Sequence, residues 1–356
     1  MNIYSLLFFF FFLIFIGAFS FLINGTFLKY SKNLGMRNID EKAIRWAAHA
    51  KPALGGISFY MLFLISIVFH ELFLGSSSTI SDNIPFIGLI IASTLSFMMG
   101  LADDAYNTKP LLKLLVQISC GIILIMTNTY IKIFSLEIFN YIITVLWVVG
   151  MMNSINMLDN MDAISGTITV FILACIFIVI INTGEAFNIY SVITVGVMGA
   201  IIGFLFYNFN PASLYMGDTG SQFLGLLLSA LSIKYLWNFD NAKDISQNLV
   251  IVAIVFLIPL TDTLTVIINR MLKGNSPFVG GKDHTTHFLN YRGLSERMVW
   301  FTFVFLSSLS ILFVWIILYK INHWSYFHFI EYTLYGLLVF GLLFINTRLR
   351  KKEIIS

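Results

Sequence analysis

The sequence predicts an all-α, polytopic membrane helix bundle of about eleven transmembrane helices, with its amino terminus outside and its carboxyl terminus cytoplasmic. Three observations carry that expectation. Hydrophobic residues are 58% and charged residues 11% of 356 positions, and the mean hydropathy of +0.87 lies far outside the range of soluble domains. The apolar residues fall in long, nearly uncharged windows instead of ten-residue alternation, which argues for helices and against a membrane barrel. Finally, the Lys and Arg residues divide 17 to 4 between alternate inter-window segments.

Crossing roughly 30 Å of hydrocarbon takes about 20 helical residues. The windows run Tyr4 to Ile23, Ile57 to Phe73, Ile84 to Leu101, Leu111 to Thr127, Ile138 to Met152 and Ile164 to Ile181. They continue with Ile189 to Phe206, Phe223 to Trp237, Leu249 to Ile268, Val299 to Leu318 and Ile330 to Ile345. No Lys or Arg precedes the first window and it exceeds a secretory h-region in length, so it reads as a retained span. The cationic set comprises Lys29, Lys32, Arg37, Lys42, Arg45, Lys51, Lys109, Lys113, Arg270, Lys273, Lys282, Arg292, Arg297, Arg348, Arg350, Lys351 and Lys352. Opposite them stand Lys132, Lys234, Lys243 and Lys320, and the larger set marks the cytoplasmic side. Cys120 and Cys175 lie inside apolar windows, where no disulfide and no metal is expected of them. No linker or repeat interrupts residues 1–356, which read as one membrane domain, and no basic, aromatic-interleaved surface suggests nucleic acid.

Nearly all unusual polar clusters fall on the five cytoplasmic segments between spans. In "HAKPALGGISF", Pro52 and the Gly55–Gly56 pair break helix beside the fixed cation Lys51, near backbone amides that would suit an anion; a plain helix cap is the alternative. In "GLADDAYNTKPLLK", Asp103 and Asp104 follow a span directly, where an unpaired carboxylate costs ~3 kcal/mol on insertion scales. A divalent cation, the nearby lysines, or simple solvation would relieve that cost. In "NSINMLDNMDAISG", spacings of three put Asn153, Asn156 and Asp159 on one helical face with Asp162 continuing it. Such hard oxygen donors suit magnesium or manganese, or a nucleobase and ribose, and five polar side chains exceed what one cap needs.

The fourth segment, "YNFNPASLYMGDTGSQFLG", places Asp218 between glycines at a helix start, where a phosphate or metal could approach the backbone, or where Asp218 merely caps. The fifth, "NRMLKGNSPFVGGKDHTTHFLNYRGLSER", gathers Arg270, Lys273, Lys282, His284, His287 and Arg292 among glycines, a cationic cover suited to a pyrophosphate. Zinc at the two histidines lacks a third ligand of usual spacing. Asp262, after Pro259 and about two helical turns before Asn269, is an acidic group at membrane depth: either functional or paired with a neighbouring span.

Taken in order, these motifs resemble the polyprenyl-phosphate N-acetylhexosamine-1-phosphate transferases, glycosyltransferase family 4. The matching stretches are Lys-Pro-x-x-Gly-Gly at Lys51 to Gly56, the Asp103–Asp104 pair, Asn-x-x-Asn-x-x-Asp-x-x-Asp at Asn153 to Asp162, and Asn-x-Asn-Pro-Ala with Met-Gly-Asp-x-Gly-Ser at Asn208 to Ser221. Asn160 and Ala163 stand where many members have glycine. "DHTTH" keeps only the outer two residues, His284 and His287, of the His-x-His-His usual in the UDP-N-acetylglucosamine branch, and lacks the three consecutive histidines of the muramyl-pentapeptide branch. The resemblance thus favours the bacterial undecaprenyl-phosphate GlcNAc-1-phosphate transferase-like branch.

It implies an enzyme of the inner (plasma) membrane that moves a sugar-1-phosphate from a UDP-sugar to undecaprenyl phosphate at the cytoplasmic face, releasing UMP, as the first membrane step of cell-envelope glycan synthesis. It further implies Mg2+ (or Mn2+) held by Asn156 and Asp218, with Asp103 positioning the polyprenyl phosphate and Asp104 supporting the metal site. Asp159 and Asp162, with Asn153, would bind the uridine part, and Lys51, Arg270, His284 and His287 the substrate phosphates. A homodimer is compatible with the sequence but not indicated by it. The alternatives are the muramyl-pentapeptide branch and, in another class, a transporter, against which the clusters lie at one membrane face without internal symmetry.

Overall fold

The computed structural model describes residues 3–31, 51–75, 83–184, 186–239, 244–276 and 281–349. Lys32, Arg37, Lys42, Arg45, Lys243, Arg350, Lys351 and Lys352, all used in the charge count, lie outside the described residues. Among those described, all regular structure is helical, and each apolar window falls within a helix or a closely joined pair, save that the fourth overruns its helix by Thr127. In order these are α1 (Ile3–Tyr30), α2 (Gly55–Phe73), α3 (Ile84–Tyr106), α4 (Pro110–Met126), α5 (Glu137–Leu158), α6 (Ile164–Asn182) and α7 (Ile189–Asn208). There follow α8 (Gly217–Ser232), extended by a π-helical turn Ile233–Trp237, then α9 (Ile245–Val255), α10 (Leu257–Leu272), the short α11 (Thr285–Tyr291), α12 (Glu296–Tyr319) and α13 (Tyr326–Arg348).

Eight of these helices are long and apolar enough to cross a membrane, and α9 with α10 counts as a ninth, broken span. α4 and α8, at 17 and 16 residues, are shorter. The chain is therefore a multi-pass membrane protein. Its centre is α8, buried at every residue from Thr219 to Ser232 and packed on α2, α3 and α5. That burial explains why α8 tolerates so many small and polar residues: it meets other helices, not lipid, and its hydroxyls bond internally, Ser229 to the Gly225 carbonyl at 2.7 Å and Ser232 to the Ser229 carbonyl at 2.9 Å.

α1 shows the opposite condition. Phe9, Phe12, Ile16, Ser20 and Asn24 recur at helical spacing and are buried, while Phe10, Phe11 and Phe15 point outward. Its inner face packs on α7, where the Ser20 hydroxyl donates to the Ala200 carbonyl at 2.5 Å, and Asn24 reaches the Ser58 hydroxyl of α2 at 3.0 Å.

α9 and α10 meet at Phe256 with a bend of 73°. Pro259 follows in the first turn of α10, the position at which a missing N–H costs least. Carbonyls around the break find side-chain donors: Ser310 on Ile254 at 3.0 Å and Ser154 on Pro259 at 2.9 Å. The second of these ties α10 to the polar end of α5.

Candidate active site

Four helix ends converge on one polar cluster. Asp103 and Asp104 occupy the last turn of α3, Lys113 the start of α4, Asn156 the end of α5 and Asp218 the first turn of α8. Lys113 Nζ lies 2.5 Å from Asp103 Oδ2 and 2.7 Å from Asp218 Oδ2, so one ammonium joins two carboxylates. Asn156 Nδ2 donates to Asp218 Oδ1 at 2.7 Å and to the Ser221 hydroxyl at 2.9 Å. Asp103 also accepts from the Thr108 hydroxyl at 2.6 Å and its N–H at 2.9 Å, which fixes its rotamer from the loop side.

Asp104 does a different job from its neighbour. Its Oδ1 accepts the Asp218 N–H at 3.0 Å, and its Oδ2 accepts the Thr219 N–H at 2.8 Å and the Thr219 hydroxyl at 2.7 Å. A carboxylate from α3 thereby caps α8, satisfying donors that a helix start leaves open and facing its positive dipole end. The joint is close. A Cβ on Gly100 would sit 2.3 Å from the Asp218 carbonyl, and one on Gly217, whose φ is +69°, would sit 2.5 Å from Asp104 Oδ2.

Three readings of the sequence need correction. The Gly55 and Gly56 amides are not open to an anion: they donate to the Tyr215 and Met216 carbonyls, each at 3.0 Å. The pair is small because a Cβ on Gly56 would fall 2.1 Å from the Gly220 nitrogen. Lys51 stands beside this joint with Nζ 5.3 Å from the Tyr215 ring centre. Next, Asp162 does not continue the face of Asn153, Asn156 and Asp159, because α5 stops at Leu158 and the chain turns. Its Oδ2 instead accepts the Ala212 N–H at 2.9 Å and Asn210 Nδ2 at 3.3 Å, bracing the turn ahead of α8. Finally, Asp262 pairs with the fifth segment and not with a neighbouring span. It accepts from His284 Nδ1 at 2.8 Å and from the Thr285 N–H and hydroxyl at 2.8 and 2.7 Å.

That contact seats α11. Arg270 is buried and grips Asp283 through Nε and Nη2 at 2.8 and 2.7 Å. Although burial would raise it, the Asp283 carboxyl is held below its ordinary value by these Arg270 bonds and charge. His284 and His287 are both buried, with ring centres 5.3 Å apart. Burial first, then the His284 charge, lowers His287 to about 4, so it is neutral near pH 7. Asn153, at the exposed side of α5, exchanges hydrogen bonds with Gln117, which also donates to Gln222 at 3.0 Å.

Asp159, at the end of α5, accepts no hydrogen bond from another described side chain. Burial, followed by the charges of Asp218, Asp104 and Asp162, pushes its carboxyl up to about 7. The folded protein therefore binds a proton there that the unfolded chain releases near pH 4. Stability contributed by this group is present at low pH and is lost as pH rises from about 4 to 7. Asp159→Asn is expected to flatten that decline, measured as a higher thermal midpoint than the parent at pH 8 and a matching one below about pH 4. Parallel pH profiles for the two proteins would contradict the assignment.

Sequence reasoning offered Lys113 only as a candidate partner of the Asp103–Asp104 pair, which its contact with Asp103 bears out, and did not single out Gln117, Ser221, Gln222 or Asp283. What the sequence did not show is the second partner of Lys113, Asp218, 105 residues away. The carboxylates of Asp103 and Asp218, gathered about the Lys113 ammonium, are hard oxygen donors of the kind that suit a divalent ion, with the Asn156 amide nitrogen bonded to Asp218 beside them. Among the described residues no group of three His, Cys, Asp or Glu converges on a metal position.

Fold and site together define a multi-pass membrane enzyme whose polar centre is built from helix ends. A family model described as Glycosyl transferase family 4 matches residues 86–236, which holds Asp103 to Asn156 and Asp218. A Bacillus subtilis (strain 168) protein named probable undecaprenyl-phosphate N-acetylglucosaminyl 1-phosphate transferase is 29% identical over 257 residues, covering 69% of this chain and 68% of its own length. The decaprenyl-phosphate N-acetylglucosaminephosphotransferase of Mycolicibacterium smegmatis is 29% identical over 274 residues, 69% of this chain and 66% of that protein. A phospho-N-acetylmuramoyl-pentapeptide-transferase of Lactiplantibacillus plantarum is 27% identical over 282 residues, 72% of this chain and 82% of that protein. Over residues 86–236 the chain is thus similar to glycosyl transferase family 4.

Proposed function

We propose that the protein transfers N-acetylhexosamine 1-phosphate from a UDP-sugar to a polyprenyl phosphate, undecaprenyl phosphate in the first instance, at the cytoplasmic face of the plasma membrane. The observation that carries this reading is the meeting of Asp103, Lys113, Asn156 and Asp218 at the ends of four helices. Eleven spans with the amino terminus outside would put that meeting point at the interface, where a lipid-bound phosphate and a water-borne nucleotide can both arrive. An oxygen of the acceptor phosphate forms a bond to the sugar-bearing phosphorus, the bond from that phosphorus to the UMP oxygen breaks, and UMP leaves with the electron pair.

Asn156 and Asp218 would hold a divalent cation, Mg2+ or Mn2+, which when bound neutralises charge on the donor pyrophosphate. Asp103 positions the acceptor phosphate, which needs little general base catalysis because a phosphate monoester is largely ionised near pH 7. Asp104 acts as a positioning residue by holding the start of α8. Lys113 offers its ammonium to the transferring phosphoryl group. Asp159 faces the nucleotide, Asp162 supports that wall from behind, and Asn153 lies at its exposed edge. Lys51, and the ring nitrogen of His284 that Asp262 leaves unengaged, face the phosphates, while Arg270 and His287 shape the segment that carries His284.

Purified protein given undecaprenyl phosphate, MgCl2 and a panel of UDP-sugars should release UMP and form a lipid pyrophosphoryl sugar, with a UDP-N-acetylhexosamine preferred. Preference for the muramyl-pentapeptide nucleotide would move the chain to the other branch, and movement of intact nucleotide without UMP release would refute a transferase.

A further inference from the structure

We infer that Asn160 and Thr286 form a clamp that sets the spacing between the two walls of the donor site and so positions the sugar nucleotide. The inference rests on the transferase reading above. The Thr286 hydroxyl donates to Asn160 Oδ1 at 2.6 Å, joining residues 126 apart in sequence. Each partner is fixed on its own side. Asn160 Nδ2 donates to the Met157 carbonyl at 2.9 Å at the end of α5, and neighbouring Thr285 is held by Asp262 of α10.

The contact therefore locks the turn that carries Asp159 and Asp162 to the helix that carries His284 and His287. Thr286 is fully buried and Asn160 partly so, and removing the hydroxyl takes from Asn160 Oδ1 the donor it has in this structure.

Both residues depart from the pattern this chain otherwise resembles: asparagine for glycine at 160, and threonine for a histidine of His-x-His-His at 286. The structure shows that the two departures touch. Glycine at 160 could not make the bond, and histidine at 286 is larger than the fully buried threonine that makes it. The pair is thus mutually compensating, and it acts through the two walls without touching the transferring phosphoryl group.

The test uses the full-length protein with UDP-N-acetylglucosamine and undecaprenyl phosphate as probes, measuring UMP release. Thr286→Val, which keeps volume but removes the hydroxyl, is expected to raise the nucleotide KM about tenfold, with kcat within about twofold and the lipid KM unchanged. Thr286→Ser should behave as the parent. Thr286→His should be impaired more than Thr286→Val, and Asn160→Gly combined with Thr286→His should recover most of that loss. A parent-like nucleotide KM in Thr286→Val, a fall in kcat alone, or a double variant no better than Thr286→His overturns the clamp.

Thermal unfolding of the same four-protein cycle (parent, Asn160→Gly, Thr286→His, double) reports the contact without turnover: non-additive midpoints support it and additive ones overturn it. A parent that releases no UMP from any UDP-sugar, with the cycle still non-additive, refutes the transferase reading and not the clamp.

Discussion

Asp218→Asn is expected to fold and insert like the parent yet release UMP at least about 1,000-fold more slowly. The substitution keeps size and one of the two acceptor oxygens, and the Asp218 main chain stays pinned by Asp104, so α8 should not shift. What disappears is the negative charge that faces Lys113 at 2.7 Å and accepts the Asn156 amide N–H at 2.7 Å. UMP release and thermal unfolding, measured on the same preparation, separate chemistry from folding. Turnover within tenfold of the parent would remove Asp218 from the centre of the mechanism.

Lys113→Met should affect stability in a way that a divalent cation reverses. Without the ammonium, Asp103 and Asp218 are left as neighbouring carboxylates with no cation between them. Breaking a buried ion pair from one side costs ~3–5 kcal/mol, and the partial exposure of Lys113 and Asp218 brings the expectation down to ~2 kcal/mol. The thermal midpoint in EDTA should fall below that of the parent, and added MgCl2 should raise it by more than it raises the parent. Equal responses to MgCl2 would show that the two carboxylates do not share a cation site.

The bundle was readable because its signal is local. A run of some 20 apolar residues announces a helix whatever it packs against, which is why each of the eleven windows falls on helix. The same logic located the motif residues, since Asp103, Asn156 and Asp218 are conspicuous in so apolar a chain.

What escaped was pairing. The division of labour between Asp103 and Asp104 depends on contacts to Thr219 and Asp218, more than 110 residues away, and nothing in an Asp–Asp doublet says which member faces the site. Asp162 was misplaced by extending the α5 period past Leu158, where Ala163, at a φ of 63°, and the Asn208 side chain that accepts its N–H at 3.0 Å hold a turn. The Gly55–Gly56 pair looked like an anion loop because small residues admit a ligand and a neighbouring helix equally well.

The joint between α3 and α8 has a consequence for how such a protein can diversify. Gly100 against the Asp218 carbonyl, and Gly217 against Asp104, leave main chain facing main chain or carboxylate, with no intervening side chain whose rotamer could absorb a change. The wall that carries Asp103 and Asp218 is in effect a machined seat, and shifting it by the width of a methyl group displaces both carboxylates together. The opposite wall, where the α5–α6 turn meets α11, is joined by side chains such as Asn160 and Thr286 that can be exchanged in matched pairs. New donor preferences would therefore arise on that second wall, while the seat that performs the transfer stays as it is.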